Sequence, residues 1–314
     1  MKKLKAIIVG SGNIFNKAYL PFIFTLEELE IVGIVGRNEE KLKKYKEKYG
    51  CSVYTDLEEA IKLKPDCAFV HTATVSHYEI VRMLLENGVN VYVDKPITNE
   101  IDKTKELIDL ARKKSLIFTV GFNRRYAPLY QKAFKFFESV KPELCLMEKH
   151  RDNDIRDDLK YTLYDDFIHI ADTLYYIVKE VGELDIHVLK ENNALKSIMV
   201  TLKSKNSTAI GLMHRNTGKD YERLEMHGHN KSAVVEDMEL LKTMEKGCVE
   251  VHTFGSWDST SYKKGFINVV KSFIGNVLDG DKKLANEELD YALKAHEIVE
   301  EIYKKGVIKS GHLP

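Results

Sequence analysis

The sequence predicts a doubly wound α/β domain on a parallel sheet, followed by an α+β domain whose mostly antiparallel sheet is open on one face. Three observations carry this. The first apolar run, Ala6 to Val9, ends in the glycine turn Gly10-Ser11-Gly12 and opens into a helical pattern. Apolar runs and amphipathic helices then alternate as far as Gly121. Beyond Gly121 come segments that alternate polar and apolar residues with the two-residue period of a half-covered strand. At 314 residues the chain suits two domains, 1–121 and 122–314.

The stretch Ala6 to Pro21, AIIVGSGNIFNKAYLP, reads as the strand, phosphate loop and first helix of a dinucleotide-binding unit. Gly10 lets the chain turn sharply off the strand, and Gly12 has no Cβ to hold a pyrophosphate away from the backbone. The helix then offers its unpaired N–H groups and dipole. The third position of the G-x-G-x-x-G/A pattern is Phe15, so the helix-to-strand contact there must be looser or rearranged.

Ile31 to Val35 is the next buried run, and Glu39 to Tyr49 is a charged surface helix. Val53-Tyr54 forms a short strand. Thr55-Asp56-Leu57-Glu58 has the capping-box pattern, with Leu57, Ala60 and Ile61 supplying one apolar face. Cys67 to His71 is a strand, and Ser76-His77-Tyr78-Glu79 repeats the capping-box pattern. Its helix runs through Val81, Leu84 and Leu85 to a stop at Gly88. Asn90 to Val93 returns as a strand ending in Asp94-Lys95-Pro96. A helix from Ile101 to Lys113 and a strand from Ile117 to Val120 close the first domain. The ligand site of such a sheet lies at the carboxyl ends of its strands.

In the second domain Pro128 to Val140 and Asp166 to Lys179 have helical periodicity. Leu184 to Leu189, Lys196 to Lys203, Thr208 to His214, Glu222 to His227 and Ser232 to Asp237 alternate as strands. Met199, Thr201, Met213 and Glu225 are expected on the open face of this sheet. Helices from Tyr262 to Leu278 and Asn286 to Lys304 end the pattern.

Composition narrows the partners. Lysine plus arginine equals aspartate plus glutamate at 48 each, so no overall field draws the protein to nucleic acid or to an anionic membrane. Small molecules and further copies of the chain remain. Cys51, Cys67, Cys145 and Cys248 have no C-x-x-C spacing, and the chain begins almost directly in a strand, which argues against a zinc site, a disulfide framework and a signal peptide. No apolar run approaches the roughly 20 residues of a membrane span. A cytoplasmic location is expected, with no metal required.

Chemistry-bearing residues gather at strand ends. Lys95 directly follows a strand, and Pro96 restricts it to extended geometry, which aims the ammonium into the crevice. An ordinary strand-end lysine has the same pattern. Asp165 and His169 lie four residues apart at the start of a helix. An acid at that spacing can hold an imidazole in one tautomer for proton transfer, although the spacing is more often that of a surface pair or a cap. His77 and the cluster Asn123-Arg124-Arg125-Tyr126 also follow strands.

Five stretches occur together in register: VGSGNI at Val9 to Ile14, HTATVSHY at His71 to Tyr78, VDKP at Val93 to Pro96, GFNRRYAP at Gly121 to Pro128, and DDFIHIAD at Asp165 to Asp172. With them the chain resembles, over nearly its whole length, the glucose-fructose oxidoreductase, inositol dehydrogenase and rhizopine-catabolism family (Gfo/Idh/MocA). It departs from the family pattern at Asp94, usually Glu, at Thr72-Ala73-Thr74, usually T-P-N, and at Phe167, usually Gly.

The resemblance implies a Rossmann domain over 1–121 and a substrate-binding and oligomerisation domain over 122–314. The activity it implies is NAD(P)-dependent oxidoreduction of a sugar, cyclitol or related polyol or ketone. The cofactor would be held by Gly10, Gly12, Asn13, Ile14, Arg37, Thr72, Ala73, His77, Asp94 and Lys95. Lys95 would hydrogen-bond the reacting hydroxyl, Asp165 would orient, and His169 would take or give the proton. Arg124, Tyr126 and His169 would line the substrate, and the second sheet would join at least two copies of the chain. Two other readings stay open: a cofactor-bound sensor without turnover, and a glycosidase that uses tightly held NAD.

The cofactor itself is read from the end of the second strand. NAD-selective units carry an acid there for the ribose hydroxyls. Here the position is Gly36, followed by Arg37, with Lys41 a turn further on. A small uncharged residue leaves room for a 2′-phosphate, which a guanidinium can grip in a fork. NADP is therefore expected ahead of NAD, unless Arg37 pairs with Glu40.

Overall fold

The computed structural model describes residues 3–156, 158–191 and 194–309. The outermost ends of the two expected domains, 1–2 and 310–314, lie outside them. The chain forms two compact units. One runs to Phe122 and takes in Phe266–Leu293, and the other comprises Asn123–Gly265 and the chain from Lys294 on. Division at 121/122 had placed Phe266–Leu293 with the second domain. Instead, the stripe Val269, Val270, Phe273 and Ile274 is buried within the first unit, where the Phe273 ring stands edge-on to Phe69 at 5.4 Å. An amphipathic stripe shows that a helix packs, without naming the sheet it packs on.

The first unit holds a six-stranded sheet of β1 (Leu4–Val9), β2 (Leu29–Val35), β3 (Ser52–Tyr54), β4 (Cys67–Val70), β5 (Asn90–Val93) and β6 (Phe118–Val120). Its order is β3-β2-β1-β4-β5-β6 and every pair is parallel. The near-continuous apolar runs of β1, β4 and β5 follow from burial on both faces. Strand order reverses between β1 and β4, so the turns after these two strands open the crevice.

Two caps differ from the sequence reading. Asp56, not Thr55, caps its helix by accepting from the Glu58 N–H at 2.8 Å. Ser76 makes no side-chain cap. Its hydroxyl turns back to Thr72 Oγ1 and Ala73 O, 2.9 and 2.8 Å away, and so ties down the loop after β4.

The second unit holds an eight-stranded sheet of β7 (Leu144–His150), β8 (Glu183–Glu191), β9 (Ala194–Lys203), β10 (Thr208–His214), β11 (Tyr221–Gly228), β12 (Lys231–Glu236), β13 (Leu240–Glu245) and β14 (Cys248–Thr253). The order is β14-β13-β12-β11-β7-β10-β9-β8, antiparallel throughout except for β7 with β10. Three strands escaped the sequence reading. β7 carries the buried Lys149 where its pattern calls for an apolar residue, and β14 is exposed almost throughout, leaving no face to read. β13 is joined to β14 through Lys246 and Gly247, both at positive φ, the geometry of a tight hairpin.

Covered and open faces alternate as expected, with Ile198, Val200 and Leu202 buried and Met199 exposed. Met213, however, is buried on the covered face. Ile210 and Leu212 are the apolar β10 residues on the open side, between Thr208 and His214.

A helix crosses the covered face and is longer than periodicity indicated. An α-turn Leu159–Thr162 and a wider π-turn Leu163–Phe167 lead into Ile168–Val178. Asp165 therefore stands inside the helix, not at its start. The helix lies tight on β10: a Cβ at Gly211 would stand 2.6 Å from Ile170 Cγ2 and 3.3 Å from Phe167 Cζ. Phe167, where the resemblance calls for glycine, is thus accommodated by a glycine on the strand beneath it.

Candidate active site

In the first unit the predicted cofactor residues gather at the carboxyl ends of the strands. Gly10 adopts φ +99°, and a Cβ there would stand 2.8 Å from backbone atoms of His71 and Thr72. The fold itself requires this glycine. A Cβ at Gly12 would meet nothing closer than His71 O at 4.0 Å, so the space beside Gly12 is left open by the fold. Gly12, Asn13 and Ile14 are exposed where the helix begins, and no side chain caps it. That cradle fits the pyrophosphate of a dinucleotide, which would complete the unpaired N–H groups. Asn16 closes the loop from below, donating to Ser11 O at 2.8 Å and Gly12 O at 2.7 Å, while Tyr45 donates to its Oδ1 at 2.8 Å.

The helix after this loop answers the question posed by Phe15. Residues Phe15–Tyr19 form a π-turn that rolls both aromatic rings inward. Phe15 stacks on His71 at 5.5 Å between ring centroids, and Tyr19 lies 4.0 Å from the same ring. The contact is rearranged, not merely loosened.

Arg37 is exposed and, among the described residues, has no ion-pair partner. Glu40, the alternative considered for it, is taken by Lys43 at 2.6 Å. Gly36 is held by its N–H to Tyr54 O at 3.0 Å.

Asp94 faces inward. Its Oδ1 accepts from the Tyr19 hydroxyl at 2.5 Å and its Oδ2 lies 2.8 Å from His71 Nδ1, which sets that ring's tautomer with the proton on Nδ1. Burial alone would raise its pKa, but His71 and the Tyr19 hydroxyl hold the carboxyl below its ordinary range. The Tyr92 hydroxyl lies 2.9 Å from that of Tyr19, and Gly121 is glycine because a Cβ would stand 2.7 Å from Tyr92 Oη. Asp94 thus anchors the strand end beneath the half-buried Lys95. Tyr19, Tyr92 and Asn16 had not been singled out by sequence. Tyr92 lay in plain view within the V-Y-V-D-K-P stretch.

His77, expected at the cofactor, is buried, with Nδ1 2.9 Å from Pro96 O and Nε2 3.0 Å from Thr72 O. It joins the loops that carry Thr72, Ala73 and Lys95.

In the second unit the charged residues form a connected system around the long helix. Asp166, next to the predicted Asp165, accepts from Arg151 at 2.8 and 2.9 Å and from Arg215 at 2.6 Å, and also meets Lys149. Burial opposes its ionisation, yet Lys149 and Arg151 hold the carboxyl well below the usual range. Burial, with Arg124 nearby, pushes Lys149 down to about 8. Arg124 is locked to Glu222 by a fork at 2.9 and 2.6 Å, and Tyr130 also donates to Glu222 at 2.9 Å. Arg125 pairs with Asp172 in the same way at 3.0 and 2.7 Å, although burial lifts the Asp172 carboxyl to about 6.

Asp165 accepts from Arg156 at 3.2 Å, and Arg156 also forks Asp154. His169 is buried to 7% exposure on the inner side of the helix, and Tyr126 is half-buried. The fork to Glu222 uses Nε and Nη2 of Arg124, while its Nη1 donates to Asn123 Oδ1 at 3.4 Å. The sequence signal for this network was the doubled acid Asp165-Asp166. Its cations lie far apart in the chain and only the sheet assembles them.

The comparisons agree with this division. Residues 4–122 match the model of an oxidoreductase family with an NAD-binding Rossmann fold, and residues 128–246 match a YceM-like C-terminal domain. The YceM oxidoreductase of Salmonella typhimurium is 28% identical over 98% of this chain and 99% of its own. A solved dehydrogenase, MviM, from Clostridium difficile is 31% identical, covers 97% of this chain and 100% of its own, and superposes with a TM-score of 0.88. D-glucoside 3-dehydrogenase of Escherichia coli is 30% identical over 40% of this chain and 36% of its own.

Proposed function

The chain belongs to the Gfo/Idh/MocA family of oxidoreductases, and from that premise we propose a dehydrogenase or reductase of an uncharged sugar, cyclitol or related polyol or ketone, with NADP preferred over NAD. The open cradle beside Gly12, a glycine the fold does not itself require, is the observation that carries the dinucleotide reading. A nicotinamide held there supplies the hydride acceptor or donor. An uncharged substrate is supported by the second unit, where Arg124, Arg125, Lys149, Arg151, Arg156 and Arg215 are each engaged by a carboxylate of the same unit. A sugar substrate is in keeping with the glucoside dehydrogenase among the relatives.

In this reading His169 takes the hydroxyl proton during oxidation and returns it during reduction. Lys95 stabilises the developing alkoxide, an effect worth about 3 kcal/mol in a preorganised site. Asp165 orients. The sheet's open face joins two copies of the chain.

A screen of sugars, cyclitols and their keto forms with both cofactors tests the proposal through the absorbance of reduced nicotinamide. Product and cofactor should change in equal amounts on a neutral compound. Turnover confined to phosphorylated or carboxylated compounds would overturn the substrate class, and product formed without net cofactor change would indicate a glycosidase.

A further inference from the structure

His77 is 1% exposed, and both of its ring nitrogens face backbone carbonyls: Pro96 O at 2.9 Å from Nδ1 and Thr72 O at 3.0 Å from Nε2. The two carbonyls belong to different loops, one after β4 and one after β5. Each is next to a residue assigned above to the nucleotide site, Ala73 and Lys95. A carbonyl oxygen only accepts, and a neutral imidazole carries one N–H. The neutral ring therefore serves one loop and sets a lone pair against the oxygen of the other. Only the doubly protonated ring serves both.

We propose that His77 is a positioning residue that ties these two loops together, and that its second proton tightens the dinucleotide site. The proposal rests on the dinucleotide reading of that site. The charged group bearing on the ring is Asp94 at the end of β5, which favours the proton and is itself engaged by His71 and Tyr19. Lys95 is one residue from the Pro96 carbonyl. On the ring's own helix, His77–Glu86, Arg82 is engaged by Glu86 at 3.0 Å, and Glu106 of the neighbouring helix Ile101–Lys113 lies 4.0 Å from Arg82. Burial opposes the proton and holds the ring below the ordinary histidine range, as does its place in the first turn of a helix. The second proton thus arrives on the acidic side of neutrality. Loops held in their binding geometry before the ligand arrives cost less to order, so affinity rises with that proton.

The test is the Kd of NADP and of NAD from about pH 5 to about pH 8, in the wild type and in His77→Gln, beside the ring ¹⁵N shifts of histidine-labelled protein. NAD is included because a 2′-phosphate titrates in the same window. The expected result is a roughly threefold to tenfold tightening of NAD as pH falls through the pKa read from the His77 ring, the size of one net hydrogen bond, with the 2′-phosphate titration superimposed on it for NADP. His77→Gln, which cannot titrate at this position, should hold one NAD affinity across the window, leaving only the 2′-phosphate titration in its NADP affinity. A flat wild-type NAD affinity where the ring titrates, a ring with a single N–H throughout, or an unchanged NAD inflection in His77→Gln overturns the proposal. If the variant does not fold, the wild-type shifts and affinities decide alone. Binding with no inflection refutes only this inference, whereas absence of binding refutes the dinucleotide reading as well.

Discussion

The Tyr19 hydroxyl donates to Asp94 Oδ1 across 2.5 Å, tying the first helix of the nucleotide unit to the end of its fifth strand. Tyr19→Phe removes the donor and leaves a buried carboxylate oxygen unserved, at a cost of about 1–3 kcal/mol. Urea denaturation should show a lower midpoint with an unchanged m value. A midpoint equal to that of the wild type would mean that His71 alone satisfies Asp94.

Asp166 predicts the acid limb of the stability curve. Its folded carboxyl lies well below the unfolded value of about 4. Its contribution is therefore fully present above that value and is lost as pH falls below it toward the folded pKa. Asp166→Asn leaves Lys149 buried without its carboxylate and Arg215 with Asp154 alone, a loss of about 3–5 kcal/mol near neutrality. Unfolding free energies at a series of acidic pH values should fall less steeply in the variant. Parallel curves would show that other carboxylates set the acid limb.

Lys95 and His169 are proposed to act on one hydroxyl. Lys95→Ala and His169→Ala should each lower kcat by about a hundredfold or more, with circular dichroism unchanged. The double variant should lose much less than the product of the two, because residues acting as a unit are not additive. Near-normal turnover in either single variant would move the chemistry elsewhere.

Arg37, exposed beside Gly36 and without an ion-pair partner among the described residues, is the expected reader of the 2′-phosphate. The wild type should prefer NADP by roughly tenfold or more, the size of a charge-assisted hydrogen bond, and Arg37→Ala should lose most of that preference. Equal affinities in the wild type, or an unchanged ratio in the variant, would show that Arg37 does not bind the phosphate.

Leu212 lies on the open sheet face, paired in register with Met199 on one side and Glu148 on the other. If that face joins two copies of the chain, light scattering at micromolar concentration should show at least a dimer. Leu212→Arg places a charge in the seam and should yield monomer. A wild-type monomer, or an unaffected Leu212→Arg oligomer, would place the contact elsewhere or remove it.

Much of the first unit was legible because its signals are local. Gly10 and Gly88 mark turns that demand positive φ, and the runs of β1, β4 and β5 are apolar because both faces are covered. The second sheet was legible only where alternation survived. It failed at β7, where Lys149 interrupts the covered face, and at β14, which has no covered face.

By itself the chain's order of residues determined the succession of strands and helices in the first unit, the glycine loop, the missing acid at Gly36 and the candidates Lys95, Asp165 and His169. Periodicity and turn chemistry act over a few residues and can be read along the chain. Tertiary structure decided what those side chains meet. It set Asp94 on Tyr19 and His71, sent Arg124 to Glu222, gathered Lys149, Arg151 and Arg215 onto Asp166, and seated Phe167 against Gly211. Each of these contacts joins residues distant in sequence, and a buried charge takes whichever partner the assembled sheet brings within reach, because it cannot be left without one.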